Sequence, residues 1–275
     1  MTANEERAPV GIDPTKPNIA RVYDYLIGGK DNFAADRAVG DEVLRLVPDA
    51  MEAGAANRAF LRRAVRYMVT HAGIRQFLDI GSGLPTQGNV HEIAQELEPR
   101  ARVVYVDNDP VVLLHTRALL EDHDTTAVVT ADLRRPAEIL KSATVQKFLD
   151  FDQPVGVLLI SILHHINDDE DPEGITEQLR AALAPGSHLA ITHFHNPGSE
   201  RPADAALAVA SEKQFNENFG TGRFRFRAEI LSYFGDWDLV EPGLVPLPTW
   251  RPDIIGGQSL KGVFYRTLGG VARKP

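Results

Sequence analysis

Residues with chemical potential recur in this chain where short apolar runs end. The run at 76–80 opens into Asp79-Ile80-Gly81-Ser82-Gly83-Leu84-Pro85-Thr86, a glycine-rich turn leading towards a helical stretch. Glycines at such a turn let the chain reverse sharply and let a ligand approach the backbone. A second run ends in Val106-Asp107-Asn108-Asp109-Pro110, with Asp107 24 residues beyond Gly83. That is close to the ~20-residue spacing of a carboxylate that accepts hydrogen bonds from ribose hydroxyls. Asp107 and Asp109 are equally suited to capping the helix that begins at Pro110, and the two roles are compatible if Asp107 takes the ribose and Asp109 the cap. A third run ends in Ala131-Asp132-Leu133, where the carboxylate suits an adenine amino group and the Leu133 amide a ring nitrogen; a plain loop aspartate is the alternative. The fourth delivers Ser161 and then Leu163-His164-His165 to the same edge.

Two details separate the adenosine ligands that such a site suits. Thr86 stands where a dinucleotide fingerprint places its third glycine, and Asp79 puts a carboxylate at the mouth of the loop, where a pyrophosphate would meet negative charge. A cationic or zwitterionic ligand fits better. His164 and His165 are the candidate proton acceptors for any chemistry beside it. With His193-x-His195 they make four imidazoles near one edge, yet adjacent strand residues face opposite ways and no acid stands at ligand spacing, so no metal site is expected. The acidic run Asp168-Asp169-Glu170-Asp171 reads as the negative N-terminus of a helix. Arg223-Phe224-Arg225-Phe226-Arg227 interleaves cations with aromatics, as single-strand nucleic-acid binders do, but reads better as a half-buried strand or helix lead-in that could also meet an anionic substrate group.

The elements that must position these residues follow from periodicity. Residues 1–17 hold three prolines and no apolar period, which describes a flexible arm. Ile19, Val22, Tyr23 and Leu26 then recur at helical spacing up to Gly28-Gly29, Val39, Val43 and Leu46 mark a second helix ending before Pro48, and Phe60, Leu61, Ala64, Val65 and Met68 a third. From residue 76 strands expected at 76–80, 102–106, 127–130, 155–161 and 188–194 alternate with helical stretches at 90–97, 111–120, up to 148, and 175–183, the pattern of a parallel sheet covered on both faces. Residues 237–240 and 263–268 suggest an antiparallel pair at its edge. The expected division is a helical cap over 1–70 and a main domain over 71–275.

Composition narrows the classes further. The chain has 275 residues, a net charge of −9, 43% apolar and 24% charged residues, and no cysteine, so it is globular and uses neither disulfides nor thiolates. The acidic balance disfavours a nucleic-acid partner. Apolar runs such as 155–163 fall short of the ~18 residues of a membrane span, and residues 1–10 lack the apolar core of a signal peptide, so a cytoplasmic location without membrane attachment is expected.

Asp79 to Gly83, Asp107, Asp132 and the Ser161 turn resemble the successive motifs of class I S-adenosylmethionine-dependent methyltransferases. The segment from Pro17 to Phe33, together with Pro242-Gly243-Leu244-Val245 and Trp250-Arg251-Pro252, is similar to a bacterial family known as S-adenosyl methyltransferases. Arginine outnumbers lysine 22 to 7, in keeping with a high-GC bacterial source. The resemblance implies a Rossmann-like, mostly parallel seven-stranded sheet whose last strand is antiparallel, and S-adenosyl-L-methionine as cofactor. It points to Asp79, Gly81, Ser82, Gly83, Asp107, Asn108, Asp132, Leu133 and Ser161 as cofactor residues. Methyl transfer to a small-molecule acceptor is the expected activity; a non-catalytic cofactor-binding regulator and, third, a nicotinamide-dependent oxidoreductase are the rivals. The segment 18–33 carries more polar and aromatic groups than packing needs. A lid on the methionine end is expected there, with Arg21 facing the carboxylate, Asp24 or Asp31 the amino group, Tyr23 or Phe33 over the sulfonium, and Lys30 and Asn32 nearby. A helix packed on the sheet edge is the alternative.

Overall fold

A computed structural model of the chain describes residues 13–85, 88–110, 112–114, 116, 124–253 and 260–275. Most of the arm expected at 1–17, most of the helix expected at 111–120, and Thr86 lie outside the described residues. Eight strands form one sheet: β1 (Gln76–Ile80), β2 (Arg102–Asp107), β3 (Thr126–Thr130), β4 (Gly156–Ile160), β5 (His188–Phe194), β6 (Asp238–Leu239), β7 (Val245–Pro246) and β8 (Thr267–Arg273). Their order is β3-β2-β1-β4-β5-β8-β6, with β7 also on β8. The first five are parallel, and β8 runs antiparallel to β5 in the register His188↔Arg273 to Phe194↔Thr267. The expected seventh position is therefore β8. The eighth strand arises because the edge position beyond it is shared by β6 and β7, which pair with its two ends. The strand expected at 263–268 starts only at Thr267, since 262–266 wind into a short turn of helix.

Burial explains why these segments are strands. Every residue of β1 is buried, so an alternating pattern would leave polar groups without water on one face. One face packs Leu78, Val104, Val157 and Leu159 against helices α5 (Pro136–Lys141), α6 (Ala143–Phe148), α7 (Pro172–Ala181) and α9 (Arg227–Ser232). The other packs Phe77, Leu158, Ala190 and Val271 against α3 (Ala50–Thr70) and α4 (Val90–Leu97), with Trp250 wedged edge-on to Phe60 at 5.2 Å. Each such large side chain contributes ~1.5–3 kcal/mol by leaving water. Phe60, Ala64 and Met68 of α3 share this core with the strands, while α1 (Ile19–Leu26) and α2 (Ala34–Leu46) close on a small cluster of their own, Val22, Leu26, Val39 and Val43. Helix α8 (Pro202–Phe219) has no counterpart in the sequence reading.

Asn18 caps α1 by accepting from the amides of Ala20 and Arg21. Gly29 is required after it, because a β-carbon there would stand 1.9 Å from the Asp24 carboxylate. No helix among the described residues is long and apolar enough to cross a membrane.

Candidate functional site

The strand order reverses between β1 and β4, and open sheets of this kind hold ligands in the crevice at the carboxyl ends of their strands beside that reversal. A cavity of about 580 Å³ lies there, well within the range of small-molecule sites. Asp79, Gly81, Ser82, Gly83, Asp107, Asn108, Asp132, Leu133, Ser161, Tyr23, His164 and His165, all read from the sequence, line it.

The glycine turn is held by β2. Gly81 and Ser82 donate to the Val106 carbonyl at 2.8 and 3.3 Å, and Gly83 donates to Asp107 Oδ2 at 2.9 Å. Gly81 has φ +73°, and a β-carbon there would stand 2.5 Å from Ile162, so the residue can be nothing larger. Asp107 Oδ1 accepts from the Asp109 amide at 2.9 Å. Burial raises the Asp107 pKa, and the Asp109 and Gly83 amides oppose that rise. Asp109 in turn accepts from the Asn18 side chain, which ties α1 to this edge, while its carbonyl takes the Leu113 amide.

Asp79 is buried, and its carboxyl is pushed up to about 7 chiefly by burial, with Asp107 adding to the rise and Arg58 opposing it. Asp132 differs. Burial would raise its pKa, but the Arg134 amide and guanidinium outweigh that and hold it below the usual range, with guanidinium contacts at 3.1 and 3.2 Å and Glu170 on the far side of the same arginine. Asn108 reaches Asp132 at 3.5 Å.

Ser161 takes a left-handed conformation, φ +58°, rare for a residue with a side chain. Its amide donates to Thr192 Oγ1 at 2.9 Å, Thr192 donates to Asn57 Oδ1 at 2.8 Å, and Asn57 Nδ2 meets the Tyr23 hydroxyl at 3.1 Å. A chain of hydrogen bonds thus joins β4, β5, α3 and α1 beneath the cavity. Burial raises the Tyr23 phenol, which stays neutral.

Helix α1 does lie against the cavity, through Asn18, Ile19, Ala20, Val22, Tyr23 and Leu26. Arg21, Asp24, Asn32 and Phe33, expected to contact the ligand, are not among the residues that line it. Arg21 Nε bonds Asp36 Oδ2 at 2.7 Å, its Nη2 the Lys16 carbonyl at 2.6 Å, and its guanidinium lies 5.3 Å from the Phe33 ring. Asp24 Oδ2 accepts from the Asp31 amide and from Asn32 Nδ2, both at 2.9 Å. These groups fold the α1–α2 turn onto itself. A buried charge needs its partner and its hydrogen bonds in place, and here α2 and the turn supply them.

Beyond Ser161 the cavity wall becomes aromatic. The His164 ring stacks on Phe194 at 3.6 Å, and Phe194 stacks on Phe224 at 4.5 Å, with Phe215 of α8 beside them. Burial drives the His164 pKa well down and that of His165 to about 4, so both rings are neutral. His165 Nδ1 has no hydrogen-bond partner among the described residues. His193 is neutral too, its pKa near 3 through burial; its Nδ1 pairs with the Phe194 carbonyl at 2.6 Å and its Nε2 with Arg225 at 3.0 Å, so Nδ1 carries the proton. His195 Nδ1 pairs with the Tyr265 carbonyl. Among the described residues no three His, Cys, Asp or Glu side chains gather as metal ligands.

The arginine run is structural. Arg223 holds Glu212 and Asn167, Arg225 holds Asp168 and the Leu163 and Ile166 carbonyls, and Arg227 bonds the Leu244 carbonyl. Asp171 caps α7 through the Gly174 amide at 3.0 Å. Sequence reading missed Asn57, Phe194, Phe215 and Arg266 as lining residues. For Asn57 a signal existed, since it falls on the buried stripe of α3 with Leu61 and Ala64.

The sequence model of a family described as S-adenosyl methyltransferase matches residues 5–275. Among solved structures, a candidate methyltransferase from Thermobifida fusca YX is similar with a TM-score of 0.91 and 44% identity over 97% of this chain and 98% of that one. A duf574 family protein from Streptomyces avermitilis gives a TM-score of 0.88 and 39% identity over 96% and 99% of the two chains. An O-methyltransferase family protein from Burkholderia thailandensis, 16% identical with a TM-score of 0.51 over 84% of this chain and 61% of that one, shares the fold. No curated protein matches the sequence. The glycine turn, the carboxylates at the ends of β1 to β3 and a family match over almost the whole length agree: the chain belongs to the S-adenosyl methyltransferase family and is an S-adenosylmethionine-dependent methyltransferase.

Proposed function

We propose that the cavity holds cofactor and acceptor end to end, and that the acceptor is a small molecule methylated in the cytoplasm of a bacterium, with no nucleic-acid or membrane partner. The observation that carries this reading is the single cavity running from the carboxyl ends of β1 to β3 to the wall formed by Phe194, Phe215 and Phe224. In this reading Asp107 accepts from the ribose hydroxyls, Asp132 and the Leu133 amide receive the adenine with Asn108 beside them, and Gly81, Ser82, Gly83 and Asp79 face the amino-acid end. Ser161 turns the chain between the two halves, and the neutral Tyr23 ring offers its face to a sulfonium. Held by these residues, S-adenosylmethionine would supply an electrophilic methyl group for the acceptor nucleophile, with S-adenosylhomocysteine as the leaving product.

What the chain adds is alignment. Holding two reactants at near-attack distance replaces a bimolecular encounter. With a pKa of about 4, His165 is a poor proton acceptor at neutral pH. We assign His164 and His165 to orienting the acceptor, His165 by a hydrogen bond and His164 through its stacked ring, while the acceptor's own proton leaves to solvent.

The test incubates the protein with methyl-labelled S-adenosylmethionine and fractionated extract of a high-GC bacterium. Label in the low-mass fraction is expected. Label in RNA or protein overturns the acceptor class, and no label in any fraction favours the cofactor-binding regulator.

A further inference from the structure

Arg266 lines the cavity beside the carboxyl end of β5. It immediately precedes β8, whose Thr267 pairs with Phe194 at the carboxyl end of β5, and its own carbonyl accepts from the His195 amide at 2.8 Å. The residue is only 6% exposed and lines the cavity. Its guanidinium has neither an ion pair nor a hydrogen-bond acceptor among the described residues, and its buried Nε is unsatisfied. The other lining arginines are engaged: Arg58 donates to the Gly88 carbonyl and Arg134 is shared by Asp132 and Glu170. Of the acids that act on Arg266, Asp204 is bonded by Arg201 at 2.6 Å, and Asp49 lies 3.7 Å from Lys261, which Glu52 holds at 2.5 Å.

A buried guanidinium without a partner is costly, and folds normally supply one. What exposure Arg266 keeps is at its Nη groups rather than Nε, and the cavity it lines is where a partner for them can come from. Helix α8 packs against the turn that carries Arg266 and brings Ser211 to the same wall, where its buried hydroxyl also lacks a partner. The acidic lining residues, Asp79, Asp107, Asp109 and Asp132, all lie in or just after β1, β2 and β3 at the proposed cofactor end.

Resting on the reading that the aromatic end receives the acceptor, we propose that the acceptor is an aromatic acid whose carboxylate is received by the Arg266 guanidinium, while its ring packs against Phe215 and Phe224. The planar guanidinium fork matches a carboxylate through two parallel hydrogen bonds. A single guanidinium balances a monoanion, whereas a phosphate dianion would leave charge uncompensated.

The test uses full-length protein saturated with S-adenosylhomocysteine and three matched pairs: benzoate and benzamide, phenylacetate and phenylacetamide, indole-3-acetate and indole-3-acetamide. Dissociation constants come from NMR titration. At least one acid is expected to bind about tenfold or more tighter than its amide, and Arg266→Gln to reduce that preference to below about threefold without changing S-adenosylhomocysteine affinity. Arg266→Lys, which keeps the charge but loses the fork, retains part of the preference. The proposal is overturned if no acid outbinds its amide in the wild-type protein, or if the preference survives Arg266→Gln. Should either variant lose its fold, the wild-type pairs and the salt dependence of the acid's binding still decide. Failure to bind S-adenosylhomocysteine at all is read separately, and counts against the cofactor site.

Discussion

Asp79 carries a cost that its removal should reveal. Its carboxyl ordinarily ionises near 3.8, and in the fold it does so at about 7, mainly because it is buried. Below pH 3.8 both folded and unfolded chains hold the proton. Between 3.8 and 7 the unfolded chain has released it while the folded chain still holds it, so stability from this group falls as pH rises, and above 7 the loss is complete. At ~1.36 kcal/mol per pKa unit the penalty at pH 8 is about 4 kcal/mol. Asp79→Asn keeps the shape without the charge. It should therefore stabilise the ligand-free protein at pH 8 by about 2–4 kcal/mol, roughly 5–15 °C in Tm, and hardly at all at pH 4. The same change should weaken S-adenosylmethionine binding by at least about tenfold, since the carboxylate no longer faces the ligand's cationic groups. In the wild-type protein that affinity should rise from pH 6 to 8 with proton release on binding. Unfolding of both proteins at the two pH values, and calorimetry in buffers of different ionisation enthalpy, measure these effects. If the variant and wild-type proteins are equally stable at pH 8, or binding takes up no less proton at pH 6 than at 8, the account of Asp79 is refuted.

Two further substitutions bear on the site. Asp107→Ala removes the acceptor for the Gly83 and Asp109 amides as well as that proposed for the ribose; S-adenosylhomocysteine affinity measured by calorimetry should drop at least about tenfold, and an unchanged value would move the ribose contact elsewhere. Arg21→Ala leaves the fully buried Asp36 without its cation and should cost about 3–5 kcal/mol in urea unfolding. Pairing Arg21→Met with Asp36→Leu should restore most of that stability with S-adenosylhomocysteine affinity within about threefold, whereas a direct Arg21 contact to the ligand would cost tenfold or more.

The contrast between Asp107 and Arg21 marks how far the sequence could be read. Asp107 is legible because its role depends on local order: an apolar run, a carboxylate at its end, a glycine turn one helix earlier. Arg21 shows only as a polar group beyond the needs of packing, and what satisfies it is Asp36 on the next helix, 15 residues away. Polar crowding looks the same whether it closes on itself or on a ligand. Strands β1 to β5 announce themselves as continuous apolar runs. Helix α8 does not, because its buried positions, Asp204, Ala208 and Ser211, are small or polar and leave no contrasting stripe. Arg266 gives no local signal at all; its significance comes from the antiparallel return of β8, which sets it beside the end of β5.

The left-handed backbone at Ser161 links inheritance to chemistry by an indirect route. A non-glycine residue in that region costs of order 1–3 kcal/mol and persists only where its surroundings over-determine it. The restraint here is Thr192, which grips the Ser161 amide and is itself held by Asn57. Thr192→Val preserves the shape of β5 but leaves the Ser161 amide only its 3.3 Å bond to the residue 192 carbonyl and removes the link to Asn57, so the peptide between the two ends of the cavity is expected to relax. Homologues that differ at Thr192 or Asn57 are thus expected to have drifted in acceptor choice even where every residue touching the acceptor is the same, and grafting acceptor residues between such relatives would fail unless this pair travelled with them.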